Sequence, residues 1–265
     1  MNLIVCVKQV IDPEAPPASF KINTAANKAE LPGVAPVLDP YGEFAIEAAL
    51  KTKDAKGGKV TALSLGVGLL REVVKKPLSM GADELILLED PAFADSDSFS
   101  TASALAAAIK KIGSYDLIFC GREASDTNAG QVGPGIAELL GLPCVTLVKK
   151  VEIIDGKARV EKITADGYEV IEVTLPAVIT VSNEIGEPRY PTIKGIMTAK
   201  KKEPIVWKPA DIGLQPTEIG AAGRKVRLVK LFQPVRERKV EIIGGDTPEE
   251  AAAKLALRLR EAKLL

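Results

Sequence analysis

The sequence predicts a doubly wound, mainly parallel α/β sheet, and three observations point to it. Five short runs rich in Val, Ile and Leu, at 2–7, 59–65, 84–88, 115–120 and 143–148, are continuous rather than alternating, as strands buried on both faces are. Helical patterns stand between them, so strand and helix alternate four times. At 265 residues the chain can bury a full core and still carry an appendage.

The helices follow in order. Asp39 and Pro40 form an N-cap and first-turn pair opening DPYGEFAIEAALKTKD, in which Phe44, Ala45, Ala48 and Ala49 make an apolar stripe. LLREVVKKPLSM follows the second strand and stops or kinks near Pro77. SFSTASALAAAIKKI follows the third, capped by Ser98 or Ser100, and GPGIAELLG follows the fourth.

After residue 150 the pattern changes. VEIIDGKARVEKI carries a type I′ hairpin signal at Asp155-Gly156, and YEVIEVTL continues the alternation, which predicts a small antiparallel ribbon over about 151–175 beside the main sheet. AVITVS, 177–182, reads as one further buried strand rejoining the core. From Asn183 to about Phe232 the chain is rich in Pro, Gly and Lys with little periodicity, the composition of an extended segment lying across something else. A final amphipathic helix has Thr247 as cap, Pro248 at the first position, Glu250 completing a capping box, and a stripe of Ala251, Leu255, Leu259 and Ala262. That stripe can bury on a partner or on its own domain. The expected organisation is an α/β domain at 1–182, a loop and linker at 183–232, and a C-terminal arm at 233–265.

Composition excludes several functions. Lys and Arg number 35 and Asp and Glu 35, so no cationic excess is present to meet nucleic acid. There is no histidine, which removes Ser-His-Asp and Cys-His catalysis and histidine-ligated zinc. Cys6, Cys120 and Cys144 each sit in an apolar run, as buried core thiols of a reducing cytoplasm do. MNLIVCVKQV is too short an apolar run for a signal peptide or a membrane insertion.

In an open parallel sheet, ligands sit off the carboxyl ends of strands at the switch point. The polar, glycine-bearing loops there are VCVKQVIDP after the first strand, LSLGVG after the second and FCGREASDTNAGQVG after the fourth. Converging on helix N-termini, they would form an anion or nucleotide cradle. Gly121, Gly130 and Gly133 alone would equally serve to turn the chain, but Asp126, Thr127, Asn128 and Gln131 add short hydrogen-bonding side chains to the same loop. Neither GxGxxG after the first strand nor GxxxxGK[ST] is present, so neither a dehydrogenase-type dinucleotide site nor a P-loop is indicated.

These stretches carry a resemblance. VKQVID, DPYGEFAIEAALKTKD, LSLG with MGADE, CGREASD…QVGPGIAELLG, LPAVITVSNEIGEPRYPTIKGIMTAKKK and KPADIG are similar to the beta subunit of electron transfer flavoproteins over almost the whole chain. The resemblance implies an adenine nucleotide alpha hydrolase-like fold with a C-terminal partner-wrapping arm. It also implies a heterodimer with an alpha subunit whose FAD shuttles electrons between an acyl-CoA or other flavin dehydrogenase and a quinone- or ferredoxin-linked acceptor. No side-chain acid or base chemistry is implied, because the flavin carries the electrons.

The resemblance further implies that the beta pocket holds AMP or, in electron-bifurcating members, a second FAD. The nucleotide-site residues it implies are Cys6 through its backbone, Asp39, Leu65, Gly66, Asp126, Thr127, Gln131, Val132 and Gly133. Tyr41 matches a position near the alpha subunit's FAD. Asp39 has a second explanation as a helix cap, and Tyr41 as a core tyrosine. Where AMP-binding members resemble Asn-Gln-Thr-Gly, this chain has Gly130, Gln131, Val132 and Gly133, which is similar to FAD-binding members and lacks the hydroxyl. VKQVID is closer to the AMP type, so the motifs divide, with the phosphate loop favouring FAD.

Residues 183–200 would be the recognition loop, with Ile193 as its apolar anchor beside Tyr190 and Met197. An exposed aliphatic residue with a polar rim on a proline-stiffened loop suits a transient docking site in its own right. Thr198 stands where some members have lysine after Ile-Met. The rival from another class is a stand-alone adenine-nucleotide-binding regulator resembling universal stress proteins, which leaves 183–265 without a task. An ATP-cleaving amide- or thiol-forming enzyme would need an SGGxDS-like loop after the first strand, and VKQVID is not one.

Overall fold

A computed structural model describes residues 1–234 and 240–265. In chain order the strands and helices begin with β1 (Asn2–Val7), β2 (Gln9–Val10), β3 (Lys21–Asn23), β4 (Lys28–Glu30), β5 (Val37–Leu38) and α1 (Pro40–Lys56). There follow β6 (Lys59–Gly66), α2 (Arg71–Val74), α3 (Lys76–Met80), β7 (Glu84–Glu89), α4 (Ser98–Ile112), β8 (Leu117–Gly121) and α5 (Val132–Leu140). The remainder are β9 (Cys144–Ile154), β10 (Lys157–Thr164), β11 (Gly167–Thr174), β12 (Ala177–Val181), α6 (Ile193–Lys201), β13 (Ile205–Trp207), α7 (Gly220–Gly223) and α8 (Pro248–Glu261).

The main sheet is nine-stranded, in the order β11-β10-β9-β12-β8-β1-β6-β7-β13, and is parallel from β9 to β13. From β1 the chain builds outward through β6 and β7, then α4 carries it back to β8 on the other side of β1. Alternate residues of β1 enter separate cores: Leu3, Val5 and Val7 pack with Ala45, Ile46 and Leu50 of α1, whereas Ile4 and Cys6 pack with Leu105 and Ile109 of α4. A strand buried on both faces has no polar side to alternate with, which is why its sequence reads as a continuous apolar run.

Several expectations are corrected. The ribbon belongs to the sheet instead of lying beside it: β9 pairs parallel with β12 at Cys144–Val178, and its outer half pairs antiparallel with β10. Asp155 and Gly156 turn that hairpin with φ of 48° and 75°, the double positive a type I′ turn requires. The cap of α4 is Asp97, with Ser100 as its reciprocal partner, so neither Ser98 nor Ser100 is the cap. Around α1, Ile46, Glu47 and Leu50 are buried along with Ala45, Ala48 and Ala49, so the helix is enclosed well beyond the expected stripe.

The stretch 183–232 is not irregular throughout. It contains α6, which packs on α3, and β13, which pairs with β7 at Ile205–Ile86. Gly195 and the β-branched Thr198 weaken the helical signal of IKGIMTAKK. The helix forms on its Thr192 cap and on tertiary contact, and a Cβ added to Gly195 would stand 2.3 Å from the Ser79 carbonyl oxygen.

The chain divides into two compact units, Met1–Lys230 and Leu231–Leu265. In the second, Thr247 caps α8 by accepting from Glu250 N at 3.2 Å. Glu250 reaches back to Asp246 N at 2.9 Å, one residue beyond the Thr247 amide that the expected box would use. Leu255 and Leu257 are exposed, and no residue of α8 is buried. Residues 235–239 of the expected arm lie outside the described residues. Among the described residues no helix is long and apolar enough to cross a membrane.

Candidate functional site

Neighbouring strands β1 and β8 send their chains onward to different helices, and the gap between their carboxyl ends is the switch point of the sheet. Three loops meet there. After β1, Lys8 Nζ donates to both carboxylate oxygens of Asp126, at 2.6 and 2.7 Å, which ties the first loop to the loop after β8. Gln9 joins the first loop to the loop after β6, with Nε2 donating to the Gly68 carbonyl at 3.3 Å and Oε1 accepting from Leu70 N at 2.8 Å. Asp39, buried at the start of α1, accepts from Gly42 N at 3.2 Å and from Ser125 N at 2.8 Å.

The geometry of two glycines is forced. A Cβ on Gly121 would come within 2.6 Å of the Tyr41 Cβ, so only glycine lets the first turn of α1 lie against the end of β8. A Cβ on Gly133 would stand 2.5 Å from Thr180 Cγ2 and 3.4 Å from Cys120 Cβ, and its absence seats the first turn of α5 directly on the sheet. That helix begins at Gln131 with no side-chain cap, so its opening amides lack an intrahelical partner and carry the positive end of the dipole.

The electrostatics centre on Arg122. Its guanidinium lies 5.2 Å from the centroid of the half-buried Tyr41 ring, and Nε donates to Glu123 at 3.0 Å. Burial opposes its charge, but Glu123 and the neighbouring acids outweigh this and raise its pKa. Glu184 is lowered first by the Ser182 hydroxyl, which donates to it, and further by the charges of Arg122 and Lys149. The edge therefore holds the Arg122 cation beside an aromatic face.

The three cysteines are free thiols, Cys6 and Cys120 buried and Cys144 half-buried. Cys6 and Cys120 face each other in register across β1 and β8, and Cys120 is pushed well up by its hydrogen bond with Cys6 and by burial. Burial and Cys120 push Cys144 up to about 11. The Cys6 side chain is packed in the core cluster with Leu105 and Ile109 of α4.

Two buried hydroxyls among the described residues have no hydrogen-bond partner: Ser64 Oγ on β6 and Ser125 Oγ in the loop after β8. A buried polar group is normally satisfied, so an orphan hydroxyl at a ligand-favoured edge fits a bound polar molecule. With the uncapped helix end, this donor set suits a nucleotide.

The structure brings Asp39, Tyr41, Asp126, Gln131, Val132 and Gly133 to this edge, with Leu65 and Gly66 ending the adjacent β6. Thr127 and Gln131 are exposed, whereas Val132 rests on the apolar cluster of α4 and α5. Lys8, Gln9, Arg122 and Ser125 were missed by sequence reasoning. The cation and amide of VKQVID were the available signal. Tyr190 and Ile193, 94% and 80% exposed, and the exposed Met197 lie elsewhere, before and on α6.

A family profile described as "Electron transfer flavoprotein domain" matches residues 33–212. The "Electron transfer flavoprotein subunit beta" of Thermoanaerobacterium thermosaccharolyticum is 40% identical, with 100% of both chains covered. The "Caffeyl-CoA reductase-Etf complex subunit CarD" of Acetobacterium woodii is 38% identical over 100% of both chains. "Protein FixA" of Azorhizobium caulinodans is 34% identical, covering 97% of this chain and 93% of its own.

Proposed function

Because the chain belongs to the electron transfer flavoprotein beta-subunit family and its work is therefore flavin-linked electron transfer, we propose that it does this as half of a heterodimer. The other half is an alpha subunit carrying FAD, and the loop cluster of this chain holds a second nucleotide, FAD in preference to AMP. The observation that carries the reading is the convergence of three loops, tied through Lys8, Gln9 and Asp39, on an uncapped helix and the unpartnered Ser125 hydroxyl.

In this site the amides of Gln131, Val132 and Gly133 meet the phosphates, favoured by the helix dipole. Asp126 and Thr127 line the same loop, and the Cys6 backbone, Leu65 and Gly66 form the floor. Asp39 fixes the frame, and Tyr41 with Arg122 faces the alpha subunit's flavin. The bound flavin supplies one- and two-electron chemistry, and the chain supplies orientation, exclusion of water and fixed charge. FAD is favoured because Val132 offers no hydroxyl to a phosphate. Losing such a bond to a charged group costs on the order of 1.5–3 kcal/mol. AMP is the alternative, and the VKQVID loop resembles its binders.

Residues 1–182 form the nucleotide-binding part in this reading, 183–232 the docking and linking part, and 233–265 the arm that wraps the alpha subunit. Tyr190, Ile193 and Met197 dock an acyl-CoA or other flavin dehydrogenase, and electrons pass on to a quinone- or ferredoxin-linked acceptor in the cytoplasm. The name of the Acetobacterium relative, which places it in a CoA-ester reductase complex, supports that class of partner. The test is co-purification with the neighbouring-gene product and a visible spectrum. A yellow heterodimer is expected, and a colourless monomer would overturn the reading.

A further inference from the structure

The segment leading into α6 is gripped by α1. Glu47, midway along α1 with its side chain 5% exposed, accepts from Arg189 Nε at 2.9 Å, from Arg189 Nη2 at 3.1 Å and from Arg189 backbone N at 3.0 Å. The same Nη2 donates at 2.8 Å to Asp54, about two turns further along the helix. Between them, Lys51 Nζ donates to the Ile185 carbonyl at 3.0 Å. Glu47, Lys51 and Asp54 thus form one row on α1 that holds both ends of 185–189.

Immediately beyond this grip the chain turns outward at Tyr190 and Ile193. Its far side is fixed too, because Ala199 is buried, Gly195 closes on the Ser79 carbonyl, and Lys202 Nζ donates to the Asp83 carbonyl at 2.7 Å. An exposed apolar surface anchored at both ends enters a complex already ordered, which removes an entropic penalty from binding.

We propose that Arg189 is a positioning residue for docking: its fork on Glu47 and Asp54 holds Tyr190–Met197 in the shape that a partner's apolar pocket receives. The proposal rests on the docking reading above. Arginine is required because a planar fork can serve two carboxylate oxygens and a second acid at once, whereas a lysine ammonium cannot.

The test uses the intact heterodimer, with a purified bacterial acyl-CoA dehydrogenase, reduced by its own substrate, as electron donor. Three variants are compared with the parent: Arg189→Lys, Asp54→Asn and Ile193→Ala. Arg189→Lys should raise KM for the dehydrogenase several-fold and speed amide exchange over 190–197, with kcat and flavin content unchanged. Asp54→Asn should shift both in the same direction by less, and this acid, 60% exposed, can be changed without unfolding the protein. Lower thermal stability with KM and local exchange unchanged would reduce Arg189 to a structural tie and overturn the proposal. If Ile193→Ala raises KM and Arg189→Lys does not, only the positioning role fails. If Ile193→Ala itself leaves KM unchanged, the docking reading fails and the positioning role with it.

Discussion

Ser125 donates its backbone N–H to the carboxylate of Asp39 at 2.8 Å, so one buried acid caps α1 and anchors the loop after β8, 86 residues away in sequence. Helix cap and loop tie are therefore inseparable at this position. Replacing Asp39 with alanine removes the cap, typically about 1 kcal/mol, and leaves the Ser125 amide without its partner, about 1–3 kcal/mol. The expected loss in urea unfolding is about 2 kcal/mol or more, with Asp39→Asn recovering part of it because one acceptor oxygen remains.

Gly133→Ala should destabilise the protein by about 1–3 kcal/mol, the usual cost of forcing atoms into a packed interior. The new methyl meets Thr180 Cγ2 at 2.5 Å. Thr180→Ser deletes that Cγ2 and keeps the hydroxyl that accepts from Leu147 N at 3.2 Å. Urea midpoints should therefore show the double variant more stable than Gly133→Ala alone.

The Lys8–Asp126 pair, with side chains 42% and 26% exposed, is well solvated. Lys8→Ala should change stability by less than about 1 kcal/mol. Its effect should appear instead in nucleotide retention: after gel filtration, the variant heterodimer should carry less bound nucleotide than the parent.

Asp97 sets an acid limit. Burial pushes its pKa up, but amides of Ser100, Val226 and Lys225 and the Ser100 hydroxyl outweigh it, so the folded value lies below the ordinary 3.8. A depressed folded pKa contributes stability that is complete above about pH 3.8 and is lost as pH falls through the lower folded value. In Asp97→Asn the acid limb of the stability profile should be shallower. It should not vanish, because Asp83, raised by burial but lowered more by Lys53 and the Val60 amide, declines over the same range.

The parallel core was legible because strands covered on both faces, such as 2–7 and 84–89, carry unbroken apolar runs. The ribbon's place in the sheet was not, because side-chain alternation records exposure and says nothing about which backbone β9 bonds to on its other edge. The helix α6 was hidden for a different reason: Gly195 is there for close approach to Ser79, at the cost of helix propensity. At the site, the loops could be chosen from their position after strands and from their glycines. The ties could not, since Lys8–Asp126 and Asp39–Ser125 join residues far apart in sequence. Arg189 stands in plain view within NEIGEPRYPTIKG, but its partners Glu47 and Asp54 sit on a helix about 140 residues earlier. The family was readable from whole stretches, and the full-length relatives set aside a stand-alone regulator.

The nucleotide content of the purified heterodimer tests the pocket most directly. Acid extraction and chromatography of the released cofactors should give two FAD per heterodimer, one from each subunit. One FAD accompanied by one AMP, or by no second nucleotide, would contradict the assignment of FAD to the loops of this chain.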